Sequence, residues 1–276
     1  MTQAADLALV AGRGVLPRRV LNACEAAGRS VTVCGIADFD GDLPRNDRPF
    51  RLETLGTLIA ELAASGVREV CLAGAVQRPR IDPAAIDAAT LPIATRVAGA
   101  LSVGGDDSAL RMFIAFFEEA GLVVRAATDL VPDLLPAEGV PSEAQPADAN
   151  GRDADRGAEV IKALSSVDLG QSCVVCRGQV IAVEALPGTD WMLKSLAEVP
   201  PELGAKFAAG GLLYKAPKPG QDRRVDLPAI GPQTIMRAAA AGLQGIVIEA
   251  GGVMVLDQFA TIAAANEAGL FLWVRP

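Results

Sequence analysis

Apolar runs of strand length alternate with helix-length amphipathic stretches, and this constrains the fold more than any other feature of the chain. Residues 7–11 form a short apolar run that ends in Gly12-Arg13-Gly14, and an amphipathic helix is expected over 16–27. A second strand is expected over 30–36, a helix over 54–65, and a third strand over 67–75. That third strand runs into Gly74-Ala75-Val76-Gln77-Arg78-Pro79-Arg80. Strands and helices alternating at this spacing predict a parallel sheet with right-handed crossovers. Ligands of such sheets collect beyond the carboxyl ends of the strands. The rule therefore places the loops at Gly12 and Gly74 on one edge. The first turn starts like a dinucleotide-binding loop, but the G-x-G-x-x-G spacing fails after Gly14. It reads either as a helix N-terminus able to hold an anion or as a plain tight turn.

Farther along, Gly104-Gly105-Asp106-Asp107-Ser108 is expected to open a helix that reaches residue 120. Asp106 and Asp107 read as helix-start residues favoured by the macrodipole, or as a carboxylate pair for a metal. A strand over 122–126 and a helix over 129–135 follow. Residues 136–156 carry three prolines and few large apolar side chains, which reads as a linker. The expected domains are thus 1–136 and 157–276, joined by 137–156. The second domain is expected to open with a helix over 156–164. A hairpin of 171–176 and 179–185 about Arg177-Gly178 comes next. Thr189 or Asp190 then caps a helix over 191–197. Strands at 245–250, 252–256 and 270–275, with a helix over 257–268, close the chain. The fold class is α/β, with an N-terminal Rossmann-like parallel-sheet domain, a C-terminal mixed α/β domain and a site expected between them.

Composition then narrows the chemistry. The chain has no histidine, which removes Ser-His-Asp and Cys-His catalysis and every imidazole metal centre. Acid–base work falls to carboxylates, lysines or water, and a metal held by oxygen ligands alone is a hard one. A net charge of −8 and 4% aromatic residues argue against nucleic-acid binding. The five cysteines sit mainly in apolar strand-like runs, which reads as reduced core thiols of a cytoplasmic protein. Cys173-Val-Val-Cys176 has zinc or redox spacing but no second pair. No apolar run is long enough to span a bilayer, and no secretory signal is expected at the N-terminus.

The most charged stretch is Lys215-Ala-Pro-Lys218-Pro-Gly-Gln-Asp222-Arg223-Arg224-Val-Asp226-Leu-Pro-Ala-Ile-Gly231. It sets four cations and two carboxylates within twelve residues, and its prolines and glycines bar a regular helix or strand. A stiffened, charged loop after the apolar run 211–214 reads either as a solvated connection whose prolines limit loop entropy or as a place where an anionic ligand is bound. Two chemistries fit it. One is carboxylate- and metal-assisted attack of water on phosphorus, with Lys and Arg neutralising phosphates. The other is simple binding of an anionic ligand.

This loop closely resembles the signature loop of the LpxI-type UDP-2,3-diacylglucosamine pyrophosphatases of lipid A biosynthesis. The stretches 9–17, Gly105-Asp-Asp107 with Leu110-Arg111, and 182–190 match the same family in the same order. The resemblance covers both domains nearly end to end. It implies a Mg²⁺-dependent hydrolase, with Mn²⁺ as a substitute, that yields UMP and 2,3-diacylglucosamine 1-phosphate by attack of water on the sugar-side phosphorus. Carried over by position, Asp226 and Asp222 are the candidate catalytic and metal-binding carboxylates. Lys215, Lys218 and Arg224 are expected on the diphosphate. Gly12, Gly74, Gln77, Arg78, Gly188, Thr189 and Asp190 are expected to contact substrate. The implied partner is a lipid-linked nucleotide sugar, met through transient contact with the inner-membrane surface, and a homodimer stays open. The alternatives are a non-catalytic binding or carrier protein for a nucleotide-linked lipid, and another nucleotide-sugar transferase.

Overall fold

A computed structural model describes residues 5–37, 43–76, 81–199 and 210–276, with the side chains of 100–109 excepted. The chain forms two compact units. The first holds Met1–Pro132 together with Asp222–Asp226, and the second holds Asp133–Gln221 and Leu227–Pro276.

In the first unit β1 (Leu7–Ala11), β2 (Val31–Gly35), β3 (Glu69–Ala73) and β4 (Val123–Arg125) form a parallel sheet ordered β2-β1-β3-β4. Helices α1 (Leu16–Ala26) and α2 (Leu55–Ala64) are the expected crossover helices. All five residues of β1 are buried, as a parallel strand covered on both faces requires. The core joins Ala8, Val10 and Val70 to Leu58, Leu62, Ile114 and Phe117. The strand order reverses beside β1, so its neighbouring carboxyl end is the switch point where ligands of such sheets bind.

Helix α3 corrects one expectation. It spans Leu91–Glu119 without a break, so Gly104 to Ser108 lie inside a helix and do not start one. Its true start carries Pro92 in the first turn, where a missing N–H is harmless. Each interior glycine lowers helix propensity by about 1 kcal/mol relative to alanine. Packing of Ile114, Phe116 and Phe117 into the core outweighs that local preference. The helix expected over 129–135 is shorter: α4 covers Ala127–Leu130, and a 3₁₀ turn covers Pro132–Leu134.

The second unit has a five-stranded sheet ordered β11-β9-β7-β5-β6. Its strands are β5 (Ser172–Cys176), β6 (Gln179–Val183), β7 (Leu212–Lys215), β9 (Gly245–Glu249) and β11 (Phe271–Arg275). The pairs β11/β9 and β9/β7 are parallel, whereas β7/β5 and β5/β6 are antiparallel. A two-residue parallel pairing of β8 (Ala229–Ile230) with β10 (Met254–Val255) stands apart. Side chains alternate across the sheet as the strand period demands. Leu213, Ile246 and Leu272 enter one core, while Leu212, Tyr214, Val247 and Phe271 enter the other. Helices α6 (Gly188–Ala197), α7 (Pro232–Ala240) and α8 (Gln258–Ala268) accompany the first core. The expected hairpin forms about Arg177-Gly178, and the buried Asp153 carboxylate accepts from both turn amides at 2.9 and 2.6 Å. All five cysteines are buried free thiols, and burial pushes the Cys173 thiol up to about 12.

The stretch expected as a linker, 137–156, is structured within this unit. Gly139 and Val274 exchange backbone hydrogen bonds of 3.0 and 2.8 Å, and Ser142 Oγ accepts from Leu272 N at 2.8 Å. Helix α5 begins at Asp148 and runs to Ser165. Prolines suit such an edge segment, where no ladder N–H is needed. Short polar side chains there bond to backbone, which composition alone reads as solvent-facing.

Candidate functional site

The carboxyl ends of β1 and β3 are tied directly to each other. Gly12 N donates to Ala73 O at 2.8 Å, and Arg13 and Ala75 exchange hydrogen bonds of 2.9 Å each. A Cβ at Gly12 would lie 2.7 Å from Ala75 O. One at Gly74, which holds φ at +95°, would lie 2.7 Å from Arg13 O and 2.8 Å from Pro17 Cγ. Both glycines therefore serve a crossing of two backbones at the sheet edge, whatever they do for a ligand. Gly74→Ala combines a left-handed backbone with a clash and should destabilise the protein by about 2–3 kcal/mol. A drop in the denaturant midpoint at unchanged slope checks this. Gln77 and Arg78 lie outside the described residues.

Residues Asp222–Asp226 complete the first unit. Val225 packs against its core cluster. Asp222 Oδ1 accepts from Arg224 N and Nε, each at 3.0 Å, and Oδ2 accepts from Arg224 Nη2 at 2.8 Å. The other arm of the guanidinium, Nη1, donates to Glu118 Oε1 at 2.6 Å near the end of α3. Hydrogen bonding to Arg224 holds the Asp222 carboxyl below its usual range, against the opposing effect of burial. Asp222 and Glu118 in turn raise Arg224. Arg224 is thus a fixed fork held between two carboxylates. Asp226 sits half-buried one turn on, its N donating to Asp222 O at 3.3 Å.

A second group forms in the C-terminal unit. Lys215 ends β7 directly opposite Ser172 of β5, and it is only 7% exposed. Its Nζ donates to Thr189 Oγ1 at 2.9 Å and to Ala229 O at 3.1 Å. Desolvation lowers its pKa, opposed by the charges of Glu184 and Asp190. Thr189 Oγ1 donates to Glu184 Oε2 at 3.0 Å, and Ser172 Oγ donates to the same oxygen at 2.7 Å. The capping expectation for Thr189 and Asp190 is corrected here. Helix α6 already starts at Gly188, and Thr189 turns its hydroxyl to Lys215. Asp190 is exposed and pairs with Arg237 of α7.

The structure thus joins Gly12 to Gly74, Asp222 to Arg224, and Thr189 to Lys215. It turns Lys218 to Asp168 instead. Glu118, Ser172 and Glu184 were missed by the sequence reading. Glu184 had one available signal, a carboxylate just past a strand and ahead of the Pro187-Gly188-Thr189 turn.

No group of three or more His, Cys, Asp or Glu side chains comes together among the described residues. Mg²⁺ asks for less: it keeps several waters and takes one or two carboxylates plus substrate phosphates. Asp226, half-buried in the charged loop, is a carboxylate of the kind that modest donor set takes, and both Asp222 oxygens accept from Arg224.

A family model described as the LpxI N-terminal domain matches residues 6–134, and one described as the LpxI C-terminal domain matches residues 137–273. The chain is 40% identical over 269 residues to the UDP-2,3-diacylglucosamine pyrophosphatase LpxI of Caulobacter vibrioides, covering 96% of each. From one end to the other, through both of its units, this chain belongs to the LpxI family.

Proposed function

We propose that the protein hydrolyses UDP-2,3-diacylglucosamine to UMP and 2,3-diacylglucosamine 1-phosphate. The observation that carries this reading is the 40% identity to a pyrophosphatase of that name over 96% of both chains. Water attacks the sugar-side phosphorus, the bond from that phosphorus to the bridging oxygen breaks, and UMP leaves. Asp226 takes the water proton or holds the metal. Lys215 and Arg224 are the cations assigned to the diphosphate, and Asp222 with Glu118 keeps the Arg224 fork in place. Asp226 would be the residue to hold Mg²⁺, which when bound would supply positive charge against the diphosphate. No described helix is long and apolar enough to cross a membrane. The two acyl chains of the substrate make the inner-membrane surface the place where enzyme and substrate meet.

The test is UMP release by purified protein from UDP-2,3-diacylglucosamine with Mg²⁺, with and without excess chelator, in ¹⁸O-water. The expected result is chelator-sensitive release with the label in the lipid phosphate. No UMP with either Mg²⁺ or Mn²⁺ would overturn the enzyme reading. Undiminished turnover in chelator would remove the metal, and label in UMP would move the attack to the other phosphorus.

A further inference from the structure

Glu184 reaches the candidate site through one hydroxyl. Its Oε2 accepts from Ser172 Oγ at 2.7 Å, from Thr189 Oγ1 at 3.0 Å and from Gln171 N at 3.4 Å. The Thr189 hydroxyl has a single proton, so donating it to Glu184 leaves a lone pair facing Lys215 Nζ at 2.9 Å. Ser172, fully buried, fixes the carboxylate from the other side and lies opposite Lys215 in the β5–β7 register. Among the described residues Lys215 Nζ has two acceptors, Thr189 Oγ1 and Ala229 O. An ammonium carries three N–H donors.

We infer that Glu184 is a positioning residue: it orients the Thr189 hydroxyl as an acceptor, which holds the Lys215 ammonium with one N–H directed to a phosphoryl oxygen. A buried ammonium without a nearby negative charge loses its proton readily. Glu184 supplies that charge without touching Lys215, so the cation is kept but not neutralised by direct pairing. The other charges around Lys215 are weaker candidates. Asp190 on α6 is exposed and tied to Arg237 of α7. Glu249 on β9 follows Ile248, the register partner of Lys215. Ser172 on β5 and Ala229 on β8 bring no charge.

The inference rests on the proposed hydrolase reading, and the test separates the two. Glu184→Gln keeps an acceptor oxygen and the side-chain volume but removes the charge. Its kcat/KM for UDP-2,3-diacylglucosamine should fall about tenfold to a hundredfold, the range for losing one bond to a charged group. Burial lowers the Lys215 pKa and Glu184 opposes this, so in Glu184→Gln it falls further. Activity that needs the protonated lysine is then lost at a lower pH than in the parent protein. Because Thr189→Val breaks the same link, the double variant should be little worse than either single one.

Direct titration gives a readout without substrate. Lys215 is one of five lysines, and its ¹³Cε signal, assigned with Lys215→Met, should titrate lower in Glu184→Gln than in the parent. If this shift is seen but no UMP is formed by the parent, the positioning role stands and the hydrolase reading falls. If UMP forms but the Lys215 titration and the alkaline limb are unmoved, the positioning role is overturned. A lower melting temperature with an unmoved limb would leave Glu184 merely structural and overturn it equally.

Discussion

Asp226→Asn should reduce UMP release about a thousandfold or more while the protein still binds UDP-2,3-diacylglucosamine. The chain has no histidine, which leaves carboxylates, lysines or water to take the proton of the attacking water. Asp226 is the base proposed here, and removing a positioned base slows a reaction by roughly 10²–10⁴. Asn keeps the shape of Asp and one acceptor oxygen but cannot take the proton. Its weaker hold on a hard cation adds to the loss if Asp226 is the metal ligand. Single-turnover UMP release, paired with equilibrium dialysis of the substrate, separates the two steps. A variant that turns over at the parent rate would take Asp226 out of the mechanism. The neighbouring Asp222 carries a different expectation, because its oxygens are already spent on Arg224. Its loss should act through a loosened guanidinium.

Lys215→Met should lower kcat/KM about 10²–10³-fold with little change in melting temperature. Losing one preorganised donor aimed at developing negative charge has an effect of this size. Stability is spared because an unbranched thioether fills the space of the lysine stem. It also removes the penalty of burying an ammonium. Lys215→Arg should not rescue activity, since a planar five-donor fork does not reproduce the compact ammonium's contacts with Thr189 Oγ1 and Ala229 O. Steady-state kinetics with thermal melts of all three proteins decides it. Activity within threefold of the parent in Lys215→Met would place the phosphoryl oxygens away from this lysine.

Most strands were legible, because period and burial agree along them. The expected 270–275 strand is observed as Phe271–Arg275, and the hairpin turn lies where Arg177-Gly178 puts it. The misreadings share a cause. Gly104-Gly105 looked like a helix start, and the proline-bearing 136–156 stretch looked like a linker. Both are local signals whose meaning tertiary packing reversed.

The α/β class, the histidine-free chemistry and the charged 215–231 loop are all readable from the amino-acid order. Those follow from which residues are present and how they repeat along the chain. Which side chains meet is set by the folded arrangement. It gave Asp222 and Glu118 to Arg224, gave Glu184 to Lys215 through Thr189, and locked Gly12 against Gly74. The physical reason is that strand pairing brings together residues far apart in sequence, and a side chain's hydrogen-bond partner carries no signature in the local pattern of either residue.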